Sequence, residues 1–479
     1  SWTYTNPDPK ATLYIETLRC AAKPEQKSLL HTITLWNYAG SLVPSGENRF
    51  AREQTLRMGP DRFKECAWIN FVRAPMAIGT YFGSPIEPCF EGGDPFIYSP
   101  ETEDAIREFN REILLPFGEF ISRTQQKPRR IAVLDAFASR VYGVSPRPYN
   151  HYPNYAVYGF YILLSMAGLE ADIVFEESLL SEGLEQYEML VLPACDTLTK
   201  PVYDKICEFA KDGGLLLGDQ YLRAELPGLI RLDFDFSYRK RVSANANAKN
   251  TDYSIQDDMN FRRSWEAETS RGVPADLDQQ RMEAYCEELQ AALANKFTAQ
   301  YRSSSPRILL NCREYDGVDY LSAVNDHRGW GDRCAQWKSM LEKGLPESAL
   351  FTLEGQSREP FVYEMISQTR VELQNSGPGQ YQFHFTLPPA GGALFAIYPE
   401  EPGEIRVQGS APGRLSIHTG FKCGLQPLKL EIPQCPDASG YYVAEKGLLE
   451  LDLPAAQNEI AENWQLEVID LSCGGKSSR

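Results

Sequence analysis

The run Trp36-Asn37-Tyr38 sets two aromatic rings and an amide at the end of the apolar stretch LLHTITL. Aromatic faces with a few placed hydrogen-bonding groups suit a pocket for a hydroxyl-rich ring such as a sugar. Trp36 and Tyr38 would stack on it, and Asn37 would bond a hydroxyl. A second set lies in TYFGSPIEPCFEGGDPF, where Tyr81, Glu87 and Glu91 carry a ring and two carboxylates along a Gly/Pro-rich stretch. Long loops of this kind carry function more often than other segments. The competing readings are a core position for one of the aromatics of the first set and a solvated loop for either acid. LPACDTLT offers Cys195 just after a strand, but no G-x-C-x-G elbow surrounds it and no His-x-Glu follows LLLGDQYL. Cys195 therefore reads as a packed thiol and not as a nucleophile.

The elements that must position these groups follow from periodicity. KATLYIETLRCAA has helical spacing, and LLHTITLWNYA reads as one β-branched and aromatic strand. GPDRFKECAWINFVR is an amphipathic helix opened by Pro60 and Asp61, and MAIGTYFGS is a further strand. SPETEDAIREFNREILLPFGEFISR is a long helix with Ser99 at its N-cap and Pro100 behind it. Alternation of this kind implies a parallel sheet.

After QQKPRR a second α/β unit begins. RIAVLDAF, ADIVFEESL, YEMLVLPACDTLT and LLLGDQYL read as strands, with helices NYAVYGFYILLSMAG and KPVYDKICEFAKDGG between them. A polar stretch follows, with one helix, LDQQRMEAYCEELQAALANKF. From Pro306 short alternating runs separated by turn residues dominate, the signature of β-sandwiches.

The whole chain narrows the classes of function. Its 479 residues allow about three domains. A net charge of −17 argues against nucleic acid as a partner, since phosphate neutralisation needs a basic surface. No stretch reaches the ~18 apolar residues of a membrane helix. The 11 cysteines form no CxxC pair and the five histidines no HxH or HExxH spacing, so neither a metal nor a disulfide framework is expected. No phosphate loop or GxGxxG occurs, and no cofactor is expected. Unpaired cysteines point to a reducing compartment, the cytoplasm, with the periplasm as the alternative. The chain opens on Ser1, which reads as a processed start or a piece of a longer polypeptide.

The order of parts resembles that of clan-A glycoside hydrolases, and of family-42 β-galactosidases in particular. WINFVRAPMAIGTYFGSP resembles the last helix-to-strand passage of a (β/α)8 barrel. RIAVLDAF to LLLGDQ is similar to the amidotransferase-like middle domain of that family. HFTLPPAGGALFAIYP and YYVAEKGLLELDLPAAQNEIAENWQLEVIDLS look like its β-sandwich appendages, the last also like a macroglobulin-type sandwich. The resemblance implies α/β plus all-β architecture: residues 1–125 the C-terminal part of a (β/α)8 barrel, 129–235 a flavodoxin- or amidotransferase-like doubly wound domain, 236–305 a polar insertion with a helix, 306–400 a β-sandwich, and 403–479 an Ig- or macroglobulin-like β-sandwich.

It further implies that WTYTNP, LLHTITLWNYAG and MAIGTYFG are the last three barrel strands. A barrel takes about 250 residues, so a second polypeptide or an upstream segment would supply the rest. Saccharide is the implied ligand, and the middle domain the implied contact of a homo-oligomer. The family places its nucleophile, a Glu, at the end of strand seven. Here that strand ends in Trp36-Asn37-Tyr38-Ala39-Gly40, without a carboxylate. Glu47 is the nearest acid and the candidate catalytic residue. The alternative is a degenerate barrel that binds saccharide, or serves assembly, without turnover.

Overall fold

The computed structural model describes residues 9–22, 29–34, 36–38, 55–57, 59–81, 100–142, 152–236, 275–330, 342–411, 414–452 and 465–478. Helix α1 (Pro9–Ala22) leads to strand β1 (Leu30–Thr34), then β2 (Trp36–Tyr38) and β3 (Thr55–Arg57). Helix α2 (Pro60–Phe71) has Gly59 as its N-cap and Pro60 in its first turn, where a missing N–H costs nothing. Strand β4 (Ala77–Tyr81) follows, and pairs in parallel with β1.

Helices α3 (Pro100–Phe109) and α4 (Leu115–Arg123) are joined by a π-helical turn, Asn110–Leu114. Pro116 sits in the first turn of α4 and lacks an N–H, and the Leu115 N–H reaches back to the Asn110 carbonyl. The wide turn lets the rod pass Pro116. Ala105, Phe109, Ile113, Phe117, Phe120 and Ile121 run down its buried face. Trp68 and Phe71 of α2 meet Phe109 edge-to-face, at centroid distances of 5.7 and 6.2 Å.

Strand β5 (Gln125–Gln126) precedes the middle unit of β6 (Ile131–Asp135), α5 (Phe137–Tyr142), α6 (Tyr152–Met166), β7 (Ala171–Phe175), α7 (Glu176–Glu182), β8 (Met189–Leu192), α8 (Lys200–Lys211), β9 (Leu215–Asp219) and β10 (Ile230–Leu232). The five strands are all parallel, in the order β10-β9-β8-β6-β7. This is the doubly wound order 2-1-3-4-5, whose direction reverses between its first and third strands. ADIVFEESL is strand only as far as Phe175, because Glu176 and Glu177 open α7. Acidic residues suit the positive end of a helix, and that outweighs the apolar run.

Helix α9 (Ala275–Leu293) buries Met282, Cys286, Leu289 and Leu293 in the core of the middle unit, beside α6.

The first β unit contains β11 (Tyr301–Ser303), β12 (Ile308–Tyr315), β13 (Val318–Asn325), β14 (Arg328–Trp330), β15 (Glu342–Gly344), β16 (Glu347–Leu353), β17 (Phe361–Glu364), β18 (Thr369–Val371), β19 (Gln374–Gly377), β20 (Gln380–Leu387) and β21 (Gly392–Tyr398). A four-stranded sheet, β11-β16-β20-β19, faces a six-stranded one, β18-β17-β21-β13-β12-β5. Phe351, Phe383 and Phe395 fill the space between them. The six-stranded sheet is buried on both sides: Leu321 and Phe395 face the four-stranded sheet, while Tyr320 and Leu394, one residue away, join the core of α2, α3 and α4. β5, at the end of the first region, is the edge strand of this sheet.

The last unit is one antiparallel ladder of seven strands, β22 (Arg406–Ala411), β23 (Arg414–His418), β26 (Leu448–Asp452), β25 (Gly440–Glu445), β24 (Leu425–Glu431), β27 (Glu467–Asp470) and β28 (Lys476–Ser478). β25 and β26 share the single pair Glu445↔Leu448. The ladder turns over there, and Leu415 and Ile417 meet Leu428, Leu430 and Val468 in one core.

Candidate functional site

The carboxyl ends of β1 and β4 lie side by side, with Thr34 opposite Tyr81. The two faces of this pair differ. His31 and Ile33 are buried, and Ile33 packs into the helical core with Phe63 and Cys66. On the other face Leu30 is 44% exposed and its register partner Ala77 is exposed as well. Helix α2 packs on the Ile33 side, where Thr80, the register partner of Ile33, is nonetheless exposed, and the other side is open at its amino end.

Trp36-Asn37-Tyr38 pairs antiparallel with Thr55-Leu56-Arg57, in the register Trp36↔Arg57, Asn37↔Leu56 and Tyr38↔Thr55. The hydrogen-bonded neighbour of β2 is thus β3, and that of β1 is β4. Tyr81 ends β4. Glu47, between β2 and β3, and Glu87 and Glu91, between β4 and α3, lie outside the described residues, as does WTYTNP.

Below β1 is a dense set of buried charges that sequence reading did not pick out. Glu16 of α1 is fully buried and receives three guanidinium groups. Its Oε2 accepts from Arg19 Nε and Arg129 Nη1, both at 2.6 Å. Its Oε1 accepts from Arg73 Nε at 2.9 Å and Arg129 Nη2 at 2.8 Å. Burial opposes its charge, yet the arginines hold its carboxyl well below the usual range. Arg129 Nη2 also donates to Asn311 Oδ1, and Asn311 Nδ2 donates to the Val72 carbonyl. Arg19 pairs with Asp172, which accepts from the Tyr187 hydroxyl at 3.1 Å. One carboxylate therefore ties α1, the end of α2, the start of β6 and strand β12 together.

Glu16, Cys20 and Asp172 lie close enough to share a cation. The donor set is unsuited to one, because the arginines already neutralise both carboxylates and burial pushes the Cys20 thiol up to about 11. His31 is also buried, with neither ring nitrogen in hydrogen-bond geometry. Burial lowers its pKa to about 4, against the opposing pull of Asn70. It is a neutral packing residue at pH 7.

The reversal of strand order between β6 and β8 marks the crevice where doubly wound sheets bind ligands. Three strand ends bring carboxyl groups there: Asp135 from β6, Glu176 after β7 and Asp219 from β9. Each is engaged by the chain itself. Asp135 pairs with Arg140, Glu176 accepts from the Ala138 N–H at 3.2 Å, and Asp219 accepts from the Ala194 N–H at 2.8 Å. The Ser139 hydroxyl donates to the Thr197 carbonyl at 2.6 Å and so closes the loop over them. Ala194 takes φ +49° to set this bend. Burial and four nearby carboxylates push the Cys195 thiol well above its ordinary value, so it is a protonated, packed group. The signal legible in sequence was an Asp closing each of VLD and LGD, at the carboxyl ends of two strands.

No protein-family model and no curated protein matches the sequence. Solved structures that the fold is similar to are glycoside hydrolases. An α-L-fucosidase isoenzyme 2 from Paenibacillus thiaminolyticus superposes with a TM-score of 0.47 at 13% identity, over 79% of this chain and 62% of that one. A β-galactosidase from Rahnella sp. R3 gives 0.45 at 10%, over 83% and 59%. A β-galactosidase from Bacillus circulans sp. alkalophilus gives 0.41 at 12%, over 77% and 60%. The chain thus spans less than two thirds of each of these structures, and no residue role passes from them to it.

Proposed function

We propose that this chain is part of a carbohydrate-active protein, a glycoside hydrolase of β-galactosidase-like kind, whose barrel is completed by a segment outside the chain. The observation that carries the reading is the incompletely covered parallel pair β1–β4, packed by α2 at Ile33 and exposed at Leu30, Ala77 and Thr80. Parallel sheets are stable when both faces are covered, and two strands alone are marginal. Further strands beside this pair would give it an interior and would place the Thr34 and Tyr81 ends at the mouth of a cleft. Retaining hydrolysis would need two carboxyl groups about 5–5.5 Å apart. Glu47 is the candidate from this chain, and the outside segment would bring the other. Tyr81, Trp36, Asn37, Tyr38, Glu87 and Glu91 are the proposed saccharide contacts. Self-association through the middle unit and a cytoplasmic setting belong to the same proposal. The latter is supported by the free thiols of every described cysteine.

The test is native mass with denaturing mass analysis of purified material, then an aryl-glycoside screen. A co-purifying polypeptide and turnover lost in Glu47→Gln are expected. Turnover intact in Glu47→Gln moves the catalytic role to another acid. The second reading, saccharide binding without turnover, is favoured by one feature: neither Trp36-Asn37-Tyr38 nor its partner Thr55-Leu56-Arg57 brings a carboxylate. It wins if oligosaccharide retards the protein in affinity electrophoresis and no glycoside is cleaved. If neither turnover nor binding occurs, both readings fall.

A further inference from the structure

The seam between the two β units contains an acid that nothing in the proposed cleft uses. Asp470 lies at the end of β27, fully buried. Its Oδ1 accepts from the Ser472 N–H at 2.8 Å, while its Oδ2 has no hydrogen-bond partner. The Ser472 hydroxyl lies near enough to favour the charged acid, but it too is buried outside hydrogen-bond geometry. The Asp470 backbone is pinned on both sides, its N–H to the Gly475 carbonyl at 2.9 Å and its carbonyl to the Gly474 N–H at 2.8 Å. These bonds fix the turn that holds the carboxyl group in the seam.

The facing groups offer it no positive charge. From the six-stranded sheet come Tyr320, Tyr363 and Tyr398, each of whose hydroxyls is pushed upward in part by Asp470. Two of them are committed elsewhere, since Tyr320 and Tyr398 donate to the Leu425 carbonyl at 3.0 and 3.4 Å. From β24 come Leu428, its register partner, and the neutral Gln426 amide. Lys429 pairs with Glu431, and Lys476 lies opposite Ile469, one step out of register with the acid. Helix α4 packs on β24 and β25 with Phe117, Phe120 and Ile121 buried, and its Arg123–Glu119 pair is at the surface. Cys473 on its own turn is a thiol raised to about 12.

We propose that Asp470 is a pH-sensitive latch: held neutral in the seam, it keeps the last β unit on the six-stranded sheet, and its ionisation loosens that contact. A charge in an apolar seam without a counterion is strongly disfavoured, so the proton is retained on folding. Burial raises the pKa to about 7. The sign follows. The unfolded chain ionises Asp470 near pH 4. The folded chain does so only near 7, so the stabilising effect is full below about pH 4, falls as pH rises, and is gone above the folded value.

The test is amide hydrogen exchange on the full chain, corrected for the intrinsic pH dependence of exchange. Peptides holding Tyr320, Tyr398, Leu425 and residues 470–474 should lose at least about tenfold in protection between about pH 5 and about pH 8. The four-stranded sheet should not change. In Asp470→Asn, which keeps the shape and cannot ionise, the loss should vanish. The same pH profile in wild type and variant overturns the proposal. If Asp470→Asn does not fold, carbon-13 titration of the aspartate carboxyls in the wild-type chain decides. A resonance titrating near neutrality, assigned to Asp470 through its backbone neighbours, supports the latch, and titration near pH 4 refutes it.

Discussion

Glu16 shows how single residues govern this molecule. Removing one partner of a buried ion pair leaves the others uncompensated, at a cost of about 3–5 kcal/mol. Glu16→Gln would take from Arg73 its carboxylate partner and leave Arg19 and Arg129 to share Asp172, with Arg73 and Arg129 nearly without solvent. Loss of stability in that range is expected in urea unfolding. The pH dependence has the opposite sign to that of Asp470. The Glu16 carboxyl is held low in the folded chain, so its contribution is present above the unfolded pKa of about 4.3 and lost only as pH falls toward the folded value. The penalty of Glu16→Gln should therefore stay constant from pH 7 down to mildly acid conditions. Cys195 gives a second residue-scale expectation. It is fully buried with a thiol pushed up, so iodoacetamide should leave it unlabelled in the native protein and label it in denaturant.

At the scale of elements, α6 is held by a close approach at a glycine. A methyl group at Gly159 would lie 2.3 Å from the Phe236 ring. Phe236 in turn stacks edge-on with Phe160, at 5.6 Å, and with Tyr285, at 5.8 Å. Gly-to-Ala within a helix ordinarily stabilises by ~1 kcal/mol. Gly159→Ala should do the reverse, because overpacking costs about 1–3 kcal/mol. A fall in melting temperature checks it. The legibility of the elements followed their local chemistry. VLD, MLVL and LLLGD are fully or nearly fully buried strands, and the long helix from Ser99 onward carries its apolar stripe and its Pro100 start openly. The different partners of β1 and β2 were not legible, because both segments are apolar runs that favour strand equally. Strands β16 (ESALFTL) and β17 (FVYE) are short, and pairing with β20 and β21 respectively decides them.

At the scale of the whole molecule, the region boundaries read from composition do not mark separate bodies. Ile15 of α1 belongs to the core shared by α2, α3 and both β units, while Leu13, two residues away, belongs to the core of the middle unit. The Glu16 cluster locks the same junction. A truncation that begins after residue 22 should therefore destabilise the middle unit as well as the first region, with loss of cooperative unfolding in both, as followed by differential scanning calorimetry.

Local pattern alone was enough for most of the helices and buried strands of the middle unit and for the parallel character of its sheet, because side-chain period and turn chemistry act between near neighbours. Only the tertiary structure decided which strands pair, that α1 bridges two cores, and that Glu16 and Asp470 are buried. An isolated Glu or Asp in a helix or strand looks the same whether it meets water, three arginines or a dry seam. Its ionisation depends on what distant segments bring against it, and that information is spread over the whole chain.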